Sequence, residues 1–337
     1  MKRPYCTIAE IIDDLKLTGL PSGETAMMRH VRAASRWIEE KTGSFYPVTA
    51  AKTFRGKGAS ELWIPPLLSV SSIAVDGDAL TSSEYELRPL AKHWEDGPYT
   101  CVSLAVDEPA LAVFDLDSVV VITGTWGLYD ATEALGQTLP AQMLAADVSF
   151  AGSDGSKFSP GMMLRIESEQ ILITATGAFT DSTTNTSGAL DESQETIPLV
   201  DGTKVAVGEV IRIEFEQMKV LDVQTNTAYV KRGWNQTTIV SHLTNQDVYV
   251  LRTFAIDRGC NGTTAALHAQ TTAISRQLVP EDVNYLAREI AALMQKKSES
   301  SFAGRIGNAE SGETAYFNEF PKDPIDKILS QYGIFKP

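Results

Sequence analysis

Two short signatures each occur twice in this sequence, and their order along the chain constrains the fold more than any other feature. The first signature, Arg-Ile-Glu-x-Glu-Gln, begins at Arg165 and again at Arg212. The second signature, Arg-Gly-x-Asn-x-Thr-Thr with a histidine at the same later spacing, begins at Arg232 and again at Arg258. Repetition of this kind indicates two related structural units, each built from one copy of both signatures.

Both copies of the first signature precede both copies of the second, so two units in tandem would leave the first unit without its second half. We therefore predict an inner unit at 190–252 that is inserted into an outer unit formed by 147–176 and 253–277. Exposed loop tips tolerate insertions of this kind. The Thr-, Ser- and Gly-rich residues 176–194 would be the linker, and the complete β-rich insertion would span 137–277.

Helical periodicity is strongest near the two ends of the sequence. Thr7 and Glu10 form the pattern of a capping box before a short helix. Apolar residues at helical spacing predict a second helix at about 24–41 and the clearest helix at 279–297. The Ser-, Gly- and Asn-rich tail after residue 298 ends in a short amphipathic segment, which suggests a flexible arm with a docking tip.

Three arginines share the polar face of the second predicted helix: Arg29, Arg32 and Arg36. A solvated helix face is one interpretation of this stripe. The other is a channel or intersubunit contact, in which the guanidinium groups meet DNA or an acidic neighbouring subunit.

Between residues 52 and 125 the apolar period changes to two, which is typical of short strands separated by turns. The fold class predicted from these patterns is α+β, with a core of helices that carries short antiparallel strands and an inserted all-β region made of two related small domains, one nested in the other. The core would comprise 1–136 and 278–337, including a C-terminal arm. The candidate strands are Lys52–Arg55, Glu61–Ile64, Ser71–Val75, Tyr85–Pro89, Cys101–Val106 and Ser118–Thr123.

Composition narrows the classes of partner. The 337 residues carry a net charge of −14, which disfavours non-specific binding to nucleic acid. The three cysteines, Cys6, Cys101 and Cys260, are widely separated and form no C-x-x-C pair, so we expect neither a disulfide framework nor a zinc site. We find no apolar run long enough to span a bilayer and no secretory signal, so we expect assembly in the cytoplasm of the producing cell.

The repeats offer few candidates for chemistry. Glu214 and Glu216 alternate along one strand and could act as a paired acid and base, but a solvent-facing Arg–Glu pair explains them better. His242 and His268 each lack the further ligands that a metal site needs, so we predict that each histidine caps a turn formed by the second signature. The sequence contains no catalytic motif, and we expect neither enzymatic activity nor a cofactor.

The order of several short motifs resembles the head–tail connector, or adaptor, proteins of tailed phages. No single motif is diagnostic, and the similarity covers 1–136 and 278–337. The family generally passes almost directly from strand to helix where this chain has its long insertion between Gly127 and Val279. The motifs that carry the resemblance are Ala33–Gly43, Thr53–Gly56, Leu62–Ile73, Tyr85–Leu87, Val121–Gly127, Val279–Val283 and Ile328–Tyr332.

The resemblance implies a structural virion protein of the neck. Such proteins form a ring, here expected to have twelve subunits, below the capsid portal, and the ring joins head to tail and continues the DNA channel. DNA would pass through without sequence-specific binding, and the portal and the tail or next neck protein would be the partners. The C-terminal arm would contact the portal, or else fold back on its own core. The candidate arm residues are Tyr316, Phe317, Phe320, Ile328, Leu329, Tyr332 and Phe335.

Two other classes of function remain open from the sequence. A carbohydrate- or receptor-binding tail protein would use the β repeats as its binding face, although Trp234 is the only tryptophan in them. A glycoside hydrolase would depend on the Glu-x-Glu pairs alone.

Overall fold

The computed structural model describes residues 3–20, 23–89, 98–105, 112–299, 305–307, 314–316 and 322–332. Within these ranges the chain is mostly β-structure, with three six-stranded antiparallel sheets, a small two-stranded sheet and four α-helices. The predicted fold class is therefore wrong in its main element, because sheets rather than a helical adaptor core form most of the chain. No helix in these ranges is long and apolar enough to cross a membrane.

The helices lie at the two ends of the chain. The predicted capping box is present at the first helix: the Thr7 hydroxyl accepts from the Glu10 backbone amide, and the Glu10 carboxylate accepts from that of Thr7. The second helix lies between Gly23 and Gly43, both with positive φ. The helices are α1 (Ile8–Leu15), α2 (Glu24–Thr42), α3 (Glu281–Glu299) and α4 (Lys322–Tyr332).

Helices from both ends share one hydrophobic core. Val31 of α2 and Ile290 of α3 are fully buried in the same apolar cluster, which we call the helical core. Met163 and Leu172, from the β-rich region, belong to the same cluster. The helical core is therefore closed in part by residues from the middle of the chain.

The first sheet has its own apolar core, formed by side chains that include Ile73, Val102 and Ile122. The strands are β1 (Val48–Arg55), β2 (Glu61–Val75), β3 (Asp78–Ala79), β4 (Tyr85–Arg88), β5 (Tyr99–Leu104) and β6 (Val119–Trp126). Their order in the sheet is β1-β6-β2-β5-β4, and β3 pairs with β2 at one end. Buried side chains recur along the fifteen residues of β2, and their alternation with exposed ones is interrupted where the pairing register shifts.

The next twelve strands form two sheets. They are β7 (Thr132–Thr138), β8 (Ser149–Ala151), β9 (Met163–Ile166), β10 (Glu169–Thr176), β11 (Thr180–Asn185), β12 (Thr196–Pro198), β13 (Val210–Ile213), β14 (Glu216–Gln224), β15 (Thr227–Lys231), β16 (Asp247–Val250), β17 (Thr253–Asp257) and β18 (Ala273–Gln277). A short hairpin of β19 (Arg305–Gly307) and β20 (Thr314–Tyr316) lies between α3 and α4 in sequence.

These two sheets have the same architecture. One has the order β7-β18-β9-β10-β17-β8, and the other has the order β11-β16-β13-β14-β15-β12. We call the first the outer unit and the second the inner unit, because the strands of the outer unit come from both sides of the inner unit in sequence. Register is also shared: Glu169 pairs with Ile166 in the outer unit, and Glu216 pairs with Ile213 in the inner unit. Each unit has a separate apolar core.

The predicted linker at 176–194 contains β11, which pairs with β16 and forms an edge of the inner sheet. Its Thr- and Ser-rich composition is compatible with a strand because Ser182 and Thr184 are buried, and the Ser182 hydroxyl donates to the carbonyl of Val248. Polar composition alone therefore misidentified a strand as a linker.

Candidate functional site

Each unit holds a buried cluster of arginine, glutamate and histidine, which we call the clasp. In the inner unit, Nε and Nη2 of Arg232 donate to the two carboxylate oxygens of Glu216 at 2.8 and 2.6 Å. Nε2 of His242 lies 2.9 Å from the same carboxylate, and Nδ1 lies 2.8 Å from the Glu214 carboxylate. The side chains of Glu216 and His242 are completely buried. The two repeated signatures therefore meet in space at this cluster.

The outer unit repeats this geometry. Nε and Nη2 of Arg258 each donate to a carboxylate oxygen of Glu169 at 2.7 Å. Nε2 of His268 lies 2.8 Å from Glu169, and Nδ1 lies 2.8 Å from Glu167. The order of strands and the order of clasp residues thus agree between the two units.

The clasp holds loops together. Backbone amides of Gly259 and Ala266 donate to Glu169 at 2.9 and 3.1 Å, and Arg258 donates to the carbonyl oxygens of Leu144 and Ala266, both at 2.6 Å. The buried pair of Glu169 and Arg258 therefore connects the start of β10, the turn of the second signature and the loop that contains Leu144. These contacts satisfy backbone amides and carbonyls that lie outside the strands.

The pKa values of the two buried carboxylates, Glu169 and Glu216, are lowered. Burial alone raises the pKa of Glu169, but the hydrogen bonds from Arg258, Ala266, Gly259 and His268 outweigh it and lower the pKa to about 2. The same balance, with Arg232 as the main donor, lowers the pKa of Glu216.

The buried position of Glu216 corrects the prediction of a solvent-facing Arg–Glu pair. The strand was expected to alternate without interruption through 211–216, but it ends at Ile213, and Glu214 adopts a positive φ of 52° in a tight turn. The turn places Glu216 inside the unit and Phe215 outside. Both carboxylate oxygens of Glu216 already accept from arginine inside the protein, so the clasp is suited to holding structure rather than to contacting a substrate. Within the described ranges no group of three or more His, Cys, Asp or Glu side chains is arranged to hold a metal ion.

The predicted turn of the second signature is confirmed. Asn235 and Asn261 adopt left-handed conformations with φ of 54° and 56°. The Thr263 hydroxyl donates to the Cys260 carbonyl at 2.8 Å. The histidine does not cap the turn backbone as predicted but contacts the two glutamates of the clasp.

Each of these turns also docks its unit against an earlier part of the chain, which the sequence did not reveal. The Asn235 amide donates to the Thr18 carbonyl at 3.1 Å, and the Leu20 amide donates to Oδ1 of Asn235 at 3.3 Å. In the outer unit, Nε of Arg3 donates to Oδ1 of Asn261 at 2.7 Å. Equivalent turns therefore attach the two units to different sites.

A third repeated signature was missed. Asp154 and Asp201 each begin an Asp-Gly-Ser/Thr-Lys turn, in which the aspartate accepts from the amide two residues later at 2.9 and 3.0 Å. The two turns precede β9 and β13 at equal distances, and this spacing is the signal that could have identified them. The Gly155 amide donates to Glu209 at 2.8 Å, which links the outer unit to the inner unit.

The described ranges include some of the predicted arm residues and not others. Ile328 is buried in the helical core, and the Tyr332 ring meets the Phe45 ring edge-on at a centroid distance of 5.0 Å. Burial and the nearby Asp282 raise the pKa of Tyr332 to about 12. Tyr316 lies in β20 and Leu329 in α4, whereas Phe317, Phe320 and Phe335 lie outside the described residues.

The three arginines of α2 differ in their surroundings. Arg29 and Arg36 are exposed, and Arg36 pairs with Glu40 at 2.8 Å on the same helix. Arg32 is half-buried, and its Nε has no hydrogen-bond partner among the described residues. Their role as channel or intersubunit contacts stays a prediction.

Comparison with known proteins adds no relative: the chain matches no protein-family model, and no curated protein matches it. A functional proposal for this chain therefore depends on the residues and contacts described above.

Proposed function

We propose that this chain is a structural subunit of the neck of a tailed phage, forming a ring below the capsid portal that joins head to tail and continues the DNA channel. The portal and the tail or next neck protein are the proposed partners. Neither catalysis nor a cofactor is part of the proposal.

The observation that carries the proposal is the position of three motifs that resemble the connector family. Residues 33–43 belong to the C-terminal half of α2 and its end, Val279–Val283 begins α3, and Ile328–Tyr332 ends α4. These helices come from opposite ends of the chain, and all three contribute side chains to the helical core. The motifs that are distant in sequence are therefore close in space.

The charge of the molecule is compatible with a DNA channel. A net charge of −14 repels the phosphate backbone, so DNA can pass close to the protein without binding to it. The exposed Arg29 and Arg36 on α2 would then contact an acidic neighbouring subunit or line the channel locally.

Negative-stain imaging of the purified chain, alone and mixed with its portal protein, tests the proposal. We expect rings, with twelve subunits the predicted number, either in free solution or on the portal. A chain that stays monomeric and shows no affinity for the portal would contradict the proposal. Binding to a glycan array by such a monomer would instead favour a receptor-binding protein.

A charge reversal tests the arginine stripe separately. We expect Arg29→Glu to reduce ring formation, because it replaces a cation by an anion at the proposed contact. Lys57→Glu is the matched control, since it makes the same change of charge at an exposed position between β1 and β2. Equal ring yields from the two variants would show that this face of α2 takes no part in the subunit contact.

A further inference from the structure

Corresponding arginines of the two units have different surroundings. In the outer unit, Nη1 of Arg165 donates to the Asp130 carboxylate at 3.1 Å and to Oε1 of Gln277 at 3.3 Å. Arg212 stands at the same position of the repeated Arg-Ile-Glu-x-Glu-Gln signature in the inner unit. The outer unit therefore shows which group pairs with this arginine when the chain supplies one, namely a carboxylate.

The inner unit has no acceptor at the matching positions. By the spacing of the repeat, Gly177 corresponds to Asp130, and Leu251 corresponds to Gln277. Neither residue has a polar side chain. Arg212 accordingly forms no hydrogen bond or ion pair with any residue that the structure describes.

Two aromatic rings hold the guanidinium of Arg212 in place. Its Cζ atom lies 5.1 Å from the centre of the Phe179 ring and 4.9 Å from the centre of the Tyr249 ring. Tyr249 pairs with Arg212 across the sheet, where the outer unit pairs Ser275 with Arg165. Attraction between the cation and the rings positions the planar donors before a ligand binds.

The donors of Arg212 differ in their accessibility. Nε is buried without a hydrogen-bond partner among the described residues, whereas Nη1 and Nη2, equally unpaired there, are open to solvent. A half-buried guanidinium without a counter-ion is unfavourable. A carboxylate that accepts from two parallel N–H groups is one of its strongest partners.

The acidic side chains of the neighbouring strands and turn are engaged elsewhere. Asp181 accepts from a backbone amide at 2.8 Å, Asp247 accepts from an asparagine side chain at 2.7 Å, and Glu214 contacts the histidine of the clasp. None of the three forms an ion pair with Arg212. Their charges repel a phosphate or a DNA strand more than a singly charged carboxylate, so the surroundings favour a carboxylate.

We infer that Arg212, held between Phe179 and Tyr249, is a binding site for a carboxylate that comes from outside the chain. Nη1 and Nη2 donate to its oxygens, as Arg165 donates to Asp130 in the outer unit. Its source is a small free carboxylate or an acidic side chain of a second copy, which has 43 Asp and Glu against 29 Lys and Arg. The site is independent of the proposed neck function, since it requires neither a ring nor a portal.

Titration with acetate at constant ionic strength, followed by NMR at the arginine Nε–Hε groups, tests the site. An Arg212→Lys variant identifies the Arg212 resonance. We expect this resonance to shift saturably, with half-saturation on the order of 10 mM acetate. Arg165 is the matched control in the same spectrum, and it should show no saturable shift because Asp130 already pairs with it.

Protein concentration separates the two sources of the carboxylate. A side chain of a second copy would shift the Arg212 resonance as the protein is concentrated without acetate, and added acetate would weaken self-association in sedimentation measurements. A free carboxylate would leave the resonance independent of protein concentration. No response of Arg212 to acetate or to protein concentration would overturn the site, and rings in negative stain would then leave the neck function standing.

An internal carboxylate provides a second test. Leu251→Glu introduces an acid where Gln277 accepts from the outer arginine, so it should pair with Arg212 and weaken the acetate response roughly 10-fold. Leu221→Glu is the matched control, with the same change of charge at an exposed position of β14. Equal responses of the two variants would contradict the correspondence between the units.

Inorganic phosphate and a DNA duplex are the competing anions. We expect neither to shift the Arg212 resonance at concentrations where acetate does, because the neighbouring carboxylates repel them. Saturation by phosphate or DNA below the acetate concentration would overturn a carboxylate site.

Discussion

At the scale of the residue, Glu216 and Glu169 are ions held inside the protein interior. Glu216 and Arg232 are both almost completely shielded from solvent. Two charges in such a place are stable only when each has the other and further hydrogen bonds. Removal of one member therefore leaves its partner as an unpaired buried charge.

We predict that Glu216→Gln lowers the free energy of unfolding by about 3–5 kcal/mol, because Arg232 then has no counter-ion. Urea denaturation of the full chain measures the change. Glu214→Gln is the control in the same cluster; about half of that side chain is exposed, so its loss should cost less than about 1 kcal/mol. Similar losses in the two variants would contradict a buried ion pair.

The clasp also predicts how stability depends on pH. The pKa of Glu169 is about 2 in the folded protein and near 4.5 when unperturbed, so the unfolded chain binds this proton at higher pH. The stabilisation is complete above pH 4.5 and is lost as the pH falls towards 2. Unfolding measurements across this window should show a smaller drop for Glu169→Gln than for the parent chain. Identical pH profiles of the two proteins would show that Glu169 does not contribute to the pH dependence of stability.

Only part of the clasp was predictable at this scale. The same Arg, Glu and His types recur at matching positions, so the sequence identified the participants. The burial of Glu216 was hidden because β13 ends at Ile213 and a turn with positive φ at Glu214 follows, whereas uninterrupted alternation would place Glu216 on the solvent side. Backbone turns formed by non-glycine residues leave little trace in a single sequence.

At the scale of the element, the turn around Asn235 attaches the inner unit to the segment between α1 and α2. Gly19 makes this approach feasible. A Cβ atom on Gly19 would lie 2.5 Å from the backbone of Asn235, and the φ of Gly19 is +111°. Close packing and unusual geometry therefore coincide at one residue.

We predict that Gly19→Ala weakens the docking of the inner unit in addition to straining the local backbone. Gly58→Ala is the matched control, since Gly58 has φ of +72° but no atom within 4 Å of the added Cβ. The control should lose about 1 kcal/mol. Gly19→Ala should lose more, and hydrogen exchange at the Asn235 amide should accelerate only in that variant. Equal effects would mean that the contact contributes nothing.

Elements with strong local signals were predicted well, and elements that depend on distant partners were not. Thr7 and Glu10 predict α1, because the side chain of each accepts from the backbone amide of the other. Strand β11 carries no such signal, because its residues Thr180–Asn185 become a strand only by pairing with β16, more than sixty residues later. The sequence therefore placed α1–α3 but misjudged how much of the chain is sheet.

At the scale of the whole molecule, the two units differ in how far they are integrated with the rest of the chain. Met163 and Leu172 of the outer unit form part of the helical core. The helical core contains no described side chain of the inner unit, whose own cluster is separate. The chain also leaves the outer unit and returns to it at neighbouring points, since the Gly177 amide donates to the Thr253 carbonyl at 2.8 Å.

We predict that excision of 179–251, with a short Gly-Ser link, leaves a folded and soluble protein with one cooperative transition. Excision of 147–276 should instead give an insoluble product, because it removes Met163 and Leu172 from the helical core. Circular dichroism and thermal unfolding of the two deletions provide the comparison. A soluble, cooperatively folded product from the larger deletion would contradict this role of the outer unit.

The nested order of strands has a consequence for synthesis. A ribosome delivers β9 and β10 on the order of ten seconds before β17, since the entire inner sheet is translated in between. The inner sheet has all its strands as soon as β16 emerges, whereas the earlier half of its relative must wait beside it with unpaired edges. The helices wait longer still, until α3 leaves the exit tunnel. The inner unit is thus complete before the outer unit that surrounds it in sequence, and a premature stop after β16 would release complete first and inner sheets beside an outer sheet that lacks β17 and β18.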